Sequence, residues 1–298
     1  MPQILAIFGP TAIGKTALAI ALAERLRAAG EDPVAVSADA LQVYRGLEIL
    51  TGAATIAEQA QLEHRLVSFV PITQTFSVGE YAPRAHAEID ALLEAGRTPI
   101  VVGGTGLYLR AALAELDLDP PPPPQLRADL NARAAQEGSL VLHTELGAVA
   151  PWAAARIEPG DRTRVVRALE LHAMGALHER SGPNRLWTAT MRHPTRLIGL
   201  TLGREALRAR VDDRVAAIVA AGAAEEVRAA AAAGASETAR KALGFQELLT
   251  GDVDALRTRT RQYARRQLTW MRKLGHAELF DADAPSAAQL AARIDSPR

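Results

Sequence analysis

Apolar residues in the first part of the chain alternate between short unbroken runs and longer helix-like stretches. Gln3 to Phe8 is a short run that stops at Gly9-Pro10, and the Ala/Leu-rich segment Thr16 to Ala29 then has helical length and composition. Strand, loop and helix are predicted in that order. A second run, Pro33 to Ser37, ends at Ala38-Asp39, and a third, Thr98 to Val102, ends at Gly103-Gly104-Thr105-Gly106. Before the third run, a helix over about 78–95 is closed by Gly96. Strands separated by helices predict a parallel sheet whose loops gather at one edge.

After Leu118 the pattern changes. Pro120 to Pro124 cannot continue a helix interior or a central strand and read as a stiff spacer. Helical, charged sequence follows from Gln125 to about Arg192, and Thr195 to Leu202 returns to strand-like residues. The prediction is an α/β fold: a P-loop-containing parallel sheet core flanked by helices, over 1–119 and 194–298, with a small all-helical insertion over 120–193. Arg204 to Gly275 reads as helical and broken by glycines, and the last dozen residues read as a loosely held tail.

Composition narrows the function. Lys+Arg and Asp+Glu are both 34, so nucleic acid or membrane cannot be bound by bulk charge, and any polyanion site must be local. With no cysteine, disulfides, thiolate metal sites and cysteine nucleophiles are excluded. The N-terminal residues lack a signal-peptide pattern and no window is a transmembrane candidate. A cytoplasmic protein without membrane association is therefore expected.

Gly9-Pro10-Thr11-Ala12-Ile13-Gly14-Lys15-Thr16 matches G-x-x-x-x-G-K-[ST] between a strand and a helix. Backbone N–H groups and the helix N-terminus suit a di- or triphosphate, Lys15 neutralises its oxygens, and the Thr16 hydroxyl suits Mg²⁺. Lysine occurs only at 15, 241 and 273, which makes its presence in this loop informative. Such loops serve NTPases, kinases and transferases alike. Asp39 alone is open to three roles: magnesium-shell carboxylate, helix cap or general base. Arg257 to Lys273 holds seven basic residues and no acidic one, interleaved with Tyr263 and Trp270, which suits RNA phosphates or an arginine-rich solvated face. Core packing is expected for Trp270.

Six blocks, GPTAIGKT, SADALQVYRGL, GGTGLYLRA, DRTRVVRALEL (Asp161 to Leu171), ARKALGFQEL (Ala239 to Leu248) and TRQYARRQLTWMRK (Thr260 to Lys273), occur in an order and spacing that resemble the tRNA dimethylallyltransferases, also called tRNA isopentenyltransferases. The resemblance covers nearly the whole chain. It implies transfer of a dimethylallyl group from dimethylallyl diphosphate to N6 of adenosine 37 of tRNAs, those reading codons that begin with U, with Mg²⁺ as cofactor. It further implies that Gly9 to Thr16 hold the prenyl diphosphate rather than ATP, although the loop is of the nucleotide-binding, ATP-binding type. Asp39 becomes the general base, and Thr105 and Arg214 stabilise the leaving group. Contacts to the tRNA anticodon stem-loop are implied for Asp39, Ala40, Leu41, Gln42, Thr105, Arg127, Thr163, Arg164, Val165, Val166, Arg167, Lys241, Ala242, Leu243, Gly244, Phe245 and Gln246. The basic run adds Arg265 and Arg266. The insertion falls where the family carries its anticodon-arm domain, and a monomer is expected.

The chain departs from the family pattern after Ile49: a G-T-A-K-P-like continuation is replaced by Leu50-Thr51-Gly52-Ala53-Ala54, so the family lysine is Ala53 here. A cationic contact from this loop is thereby in doubt. The expected histidine pair is reduced to His64-Arg65, with His64 read as a packing or positioning residue. Three rivals remain: a nucleotide-dependent kinase, an adenylate isopentenyltransferase acting on free nucleotides, and an RNA-binding module with an idle phosphate loop.

Overall fold

The computed structural model describes residues 3–179, 188–283 and 286–295. Six strands, β1 (Ile4–Phe8), β2 (Pro33–Ser37), β3 (His64–Arg65), β4 (Thr98–Gly103), β5 (Thr195–Thr201) and β6 (Glu278–Asp281), form one sheet in the order β3-β2-β4-β1-β5-β6. Every pairing is parallel. Side chains alternate across such strands. Leu5, Ile7, Ala35, Ile100, Ile198 and Leu200 join one core with the helix Lys15–Ala28, and the helices Val78–Glu94 and Gly106–Leu113 pack together and against β4.

The order places β4 between β2 and β1, so the chain leaves β1 toward one side of the sheet and later occupies its other side with β5 and β6. The crevice at the carboxyl ends of β1 and β4 is the topological switch point, where ligands bind in open parallel sheets. The loops Gly9–Gly14 and Gly104–Thr105 open there.

β3 and β6 are short edge strands that the hydrophobic pattern does not announce. The expectation of a loose tail is overturned as well. Ala287–Asp295 is a helix whose Leu290, Ala291 and Ile294 are buried in the core of the Lys15–Ala28 helix. Those three apolar positions lie on one helical face, which a compositional reading of a chain end overlooks.

The chain divides into two compact units, 1–116 with 186–298, and 117–185. The described return segment near Arg192 and His193 belongs with the larger unit: both side chains bond Asp90, and Arg192 N donates to Leu113 O. The smaller unit has its own helical core of Leu130, Leu142, Leu146, Val165, Val166 and Leu169. Its first helix, Pro124–Gln136, starts at the last of the five prolines, where a missing N–H costs nothing.

Candidate active site

The phosphate loop leads from β1 into the helix Lys15–Ala28, whose first N–H groups have no partner within the helix. Gly14 stands at φ 95° with open space around it, so glycine is needed for its backbone conformation, and Ala12 is held at φ 65° despite its Cβ. The Lys15 ammonium bonds the loop's own carbonyls at Gly9 and Pro10, each at 3.0 Å. Desolvation lowers its pKa to about 8, opposed by Asp39 and assisted by Arg214. Lys15 is thus a cation with no carboxylate bonded to it among the described residues, poised for an incoming anion.

A cavity of about 740 Å³ opens from this loop, lined by Lys15, Thr16, Asp39, Thr105, Arg214 and Arg266 among others. One Asp39 carboxylate oxygen accepts from Leu41 N at 2.9 Å and, at 3.4 Å, from Gln42 N. Asp39 therefore caps its own turn, and its second oxygen has no protein partner among the described residues. The Arg214 guanidinium donates to Thr51 O at 3.1 Å, and burial lowers its pKa against the pull of Asp39. It also lies directly over Gly52, where a Cβ would stand 2.2 Å from its Nη2.

That contact bears on the family lysine missing at residue 53. Ala53 is buried at 6% exposure and contributes no charge, while Arg214, delivered from the helix Arg204–Ala220, lies against this same loop. Gln42 supports the loop from beneath: it accepts from the Ser37 hydroxyl and donates to Gly52 O at 3.0 Å.

The C-terminal basic helix, Val253–Lys273, has a second character that its charge hides. Leu256, Thr260, Ala264, Gln267 and Met271 repeat every three or four residues and form its buried face. From that side Gln267 accepts from Thr11 N and donates to Gly104 O, both at 2.8 Å. The hydroxyls of Tyr263 and Thr105 are 3.1 Å apart, and burial, followed by Asp39, raises the Tyr263 pKa, so the phenol stays neutral. Trp270 lies edge-on to Tyr263 and lines the cavity, so it is a wall residue rather than the core residue expected. Gln267 escaped the sequence reading because a neutral amide inside an arginine run carries no signal of its own. Arg210, which donates to Ile13 O at 3.2 Å, was hidden among arginines in the same way.

The basic run is also less free than it reads. Arg257 and Arg261 pair with Asp212, Arg257 also with Asp254, and Arg259 with buried Glu247. Arg265 and Arg266 are exposed and have no carboxylate partner among the described residues, with Arg266 5.7 Å from the Tyr263 ring centroid.

The other residues expected to contact RNA divide by exposure. Ala40 and Leu41 line the cavity; so do Lys241 and Leu243, while Gln246 is exposed. Ala242, Gly244 and Phe245 are buried, with Phe245 1% exposed, so they shape the segment rather than present side chains. In the smaller unit Thr163 and Arg164 are exposed, whereas Val165 and Val166 belong to its core. Arg127 and Arg167 both bond Glu170, itself 1% exposed. Burial pushes the Glu170 carboxyl upward, and the two arginines together overcome it and hold the group below its ordinary value.

Residues 42–274 match the family model for IPP transferase. The chain belongs to the IPP transferase family. A tRNA dimethylallyltransferase of Anaeromyxobacter dehalogenans is 42% identical over 285 residues, covering 91% of this chain and 92% of its own. One from Thermobifida fusca is 39% identical over 301 residues, covering 96% and 92%. Among solved structures, the tRNA isopentenylpyrophosphate transferase of Bacillus halodurans superposes with a TM-score of 0.69 at 31% identity, covering 98% of this chain and 94% of its own. A eukaryotic dimethylallyltransferase acting on tRNA shares the fold, with a TM-score of 0.70 at 22% identity, covering 95% of this chain and 74% of its own. The matched family span begins after the phosphate loop and Asp39.

Proposed function

We propose that this member of the IPP transferase family transfers the dimethylallyl group of dimethylallyl diphosphate to N6 of adenosine 37 in tRNA. The observation that carries the reading is the convergence of Lys15, Thr105, Arg214 and Asp39 on one cavity at the switch point of the sheet. Three of these suit a leaving diphosphate and the fourth suits a proton.

In the reaction the N6 lone pair forms a bond to the allylic C1 as the C1–O bond breaks, and that bonding pair leaves with the diphosphate. Negative charge grows on the leaving group, where Lys15, Arg214, the Thr105 hydroxyl and the loop N–H groups receive it. Adenine N6 is a weak nucleophile until its proton is accepted, and the Asp39 oxygen not used by the turn takes that proton. Mg²⁺, when bound, supplies further neutralisation of the diphosphate. Among the described residues no cluster of three or more His, Cys, Asp or Glu side chains forms a metal cage. Thr16, which lines the cavity, would hold the ion beside the diphosphate.

We assign RNA recognition to exposed groups: first Arg265 and Arg266 on the C-terminal helix, then Gln246 and Thr163, with Lys241 and Arg164 contributing only in exchange for their carboxylate partners Glu237 and Asp161. No described helix is long and apolar enough to cross a membrane, and we take the protein to act on tRNA in the cytoplasm. We take the working form to be a monomer. The kinase reading leaves the tRNA-directed relatives unexplained, and an enzyme for free nucleotides has no use for the helical unit. Incubation with labelled dimethylallyl diphosphate, ATP, total tRNA and free AMP tests the proposal. Label is expected in tRNA only; label in AMP, or phosphoryl transfer from ATP instead, overturns it.

A further inference from the structure

We infer that Gln267 is a positioning residue for the transfer reaction, its amide holding the phosphate loop and the Gly104-Thr105 loop at the spacing that lets Lys15 and Thr105 act on one diphosphate. The inference rests on the reaction proposed above. Gln267 is 2% exposed, and both ends of its amide are used, by loops that are far from it and from each other in sequence: Oε1 accepts from Thr11 N, and Nε2 donates to Gly104 O, each at 2.8 Å. The partners fix the orientation of the amide, because an N–H must meet an oxygen and a carbonyl must meet an N–H.

Space around the contact is fully committed. A Cβ on Gly104 would stand 2.4 Å from Gln267 Nε2 and 3.3 Å from Lys15 Nζ, so the absence of a side chain at 104 is what lets the amide and the ammonium lie against the same backbone. Thr105 follows directly, and its hydroxyl meets Tyr263 one helical turn before Gln267. One rigid helix face therefore contacts the phosphate loop, at Thr11, and the loop that carries the leaving-group hydroxyl. Neither contact consumes the first N–H groups of the helix Lys15–Ala28. Displacements of about 1 Å in such a constellation cost up to about 10² in rate.

The amide also specifies its own test. A neutral carboxylic acid offers one acceptor and one O–H donor, and so replaces both functions of the amide; a carboxylate offers only acceptors and repels Gly104 O. Burial and a neighbouring diphosphate favour the neutral acid. Gln267→Glu should therefore work better as pH falls, while Gln267→Met, similar in volume, should not. Lys15, Asp39, Tyr263 and Arg266 surround the position and are present in both proteins, so the ratio of variant to wild-type rate isolates residue 267.

Full-length wild type, Gln267→Met and Gln267→Glu are to be compared for kcat and KM, for inorganic diphosphate affinity by calorimetry, and for thermal unfolding. We expect kcat of Gln267→Met to fall by about 10-fold to 10²-fold with a smaller change in KM for the prenyl donor. The Gln267→Glu to wild-type ratio should rise by about tenfold from about pH 8.5 to about pH 6.5. Wild-type kcat and diphosphate affinity in folded Gln267→Met would overturn the inference, as would a pH-independent ratio. Failure of both variants to fold at every pH would also overturn it, by making the amide a core-packing group. A wild type that binds diphosphate but transfers nothing to tRNA would break the functional reading instead, and the variants' diphosphate affinities would still decide the role of Gln267.

Discussion

The phosphate-loop cavity and the helical unit 117–185 use charge in opposite ways. In the cavity, among the described residues, Lys15 bonds backbone carbonyls and Arg214 a loop carbonyl with no carboxylate paired to either, so both cations keep their charge for a ligand. In the helical unit, Arg127 and Arg167 are committed to the buried Glu170 carboxylate, and Arg133 is shared between Glu137 and Glu145. Arginine count therefore says little about anion binding; what matters is whether a carboxylate has already neutralised the guanidinium. The same distinction runs along the C-terminal helix, where Arg257, Arg259 and Arg261 are paired and Arg265 and Arg266 have no carboxylate partner among the described residues.

The strongest way to break this contrast is at Asp39. Asp39→Asn keeps an oxygen for the Leu41 N–H and so preserves the turn, but removes the proton acceptor. Turnover is expected to fall by about 10² or more with little change in prenyl diphosphate affinity. A loss of affinity at unchanged turnover would make Asp39 a binding or magnesium residue.

The next effect follows from the lowered Lys15 pKa of about 8. Below that pH the free protein already carries the ammonium, so diphosphate binding needs no proton at this site. Above it, the bound anion must draw a proton onto Lys15, and affinity is expected to weaken by up to about tenfold per pH unit. Calorimetry in buffers of different ionisation enthalpy reads the proton uptake directly. Lys15→Arg, which stays charged, should remove the break near pH 8; a break that persists assigns it to another group.

Arg127 separates structural from RNA-binding arginine. Arg127→Ala leaves the Glu170 carboxylate with Arg167 alone and should lower the stability of the helical unit by about 1–3 kcal/mol in urea unfolding. Unchanged unfolding with lost tRNA affinity would instead make Arg127 a direct RNA contact. The smallest expected effect is on salt dependence: Arg265→Ala and Arg266→Ala should each flatten the slope of log affinity for tRNA against log salt by about one, whereas Arg261→Ala should leave it nearly unchanged. Equal slopes for all three variants would erase the distinction between paired and unpaired arginine.

Several features were legible in the chain because they depend on short-range order. The phosphate loop needs contiguous residues for its turn and its helix start, so strand, loop and helix appear together in one stretch. The five prolines mark the approach to the helical unit for the same reason. β3, with two residues, and β6, whose neighbours in the sheet are far away in sequence, lack such local signatures. The helix Ala287–Asp295 shows its apolar face only once there is a partner to bury it.

Asp39 and Thr105 could be nominated from the chain because each sits in a recognisable block, and Arg214 because the resemblance carries an arginine onto that position outside the six blocks. That Asp39 divides its carboxylate between a turn and the cavity, and that Arg214 lies over Gly52 where Ala53 offers no charge, are facts of tertiary structure. The sequence by itself determined the family, the phosphate-loop motif and the residue types that line the cavity near it, since these are carried by contiguous stretches. Tertiary structure alone decided which arginines are free, which apparent RNA contacts are core, and that a buried amide joins two loops. Pairing and burial depend on residues brought together from distant parts of the chain, and no local pattern records them.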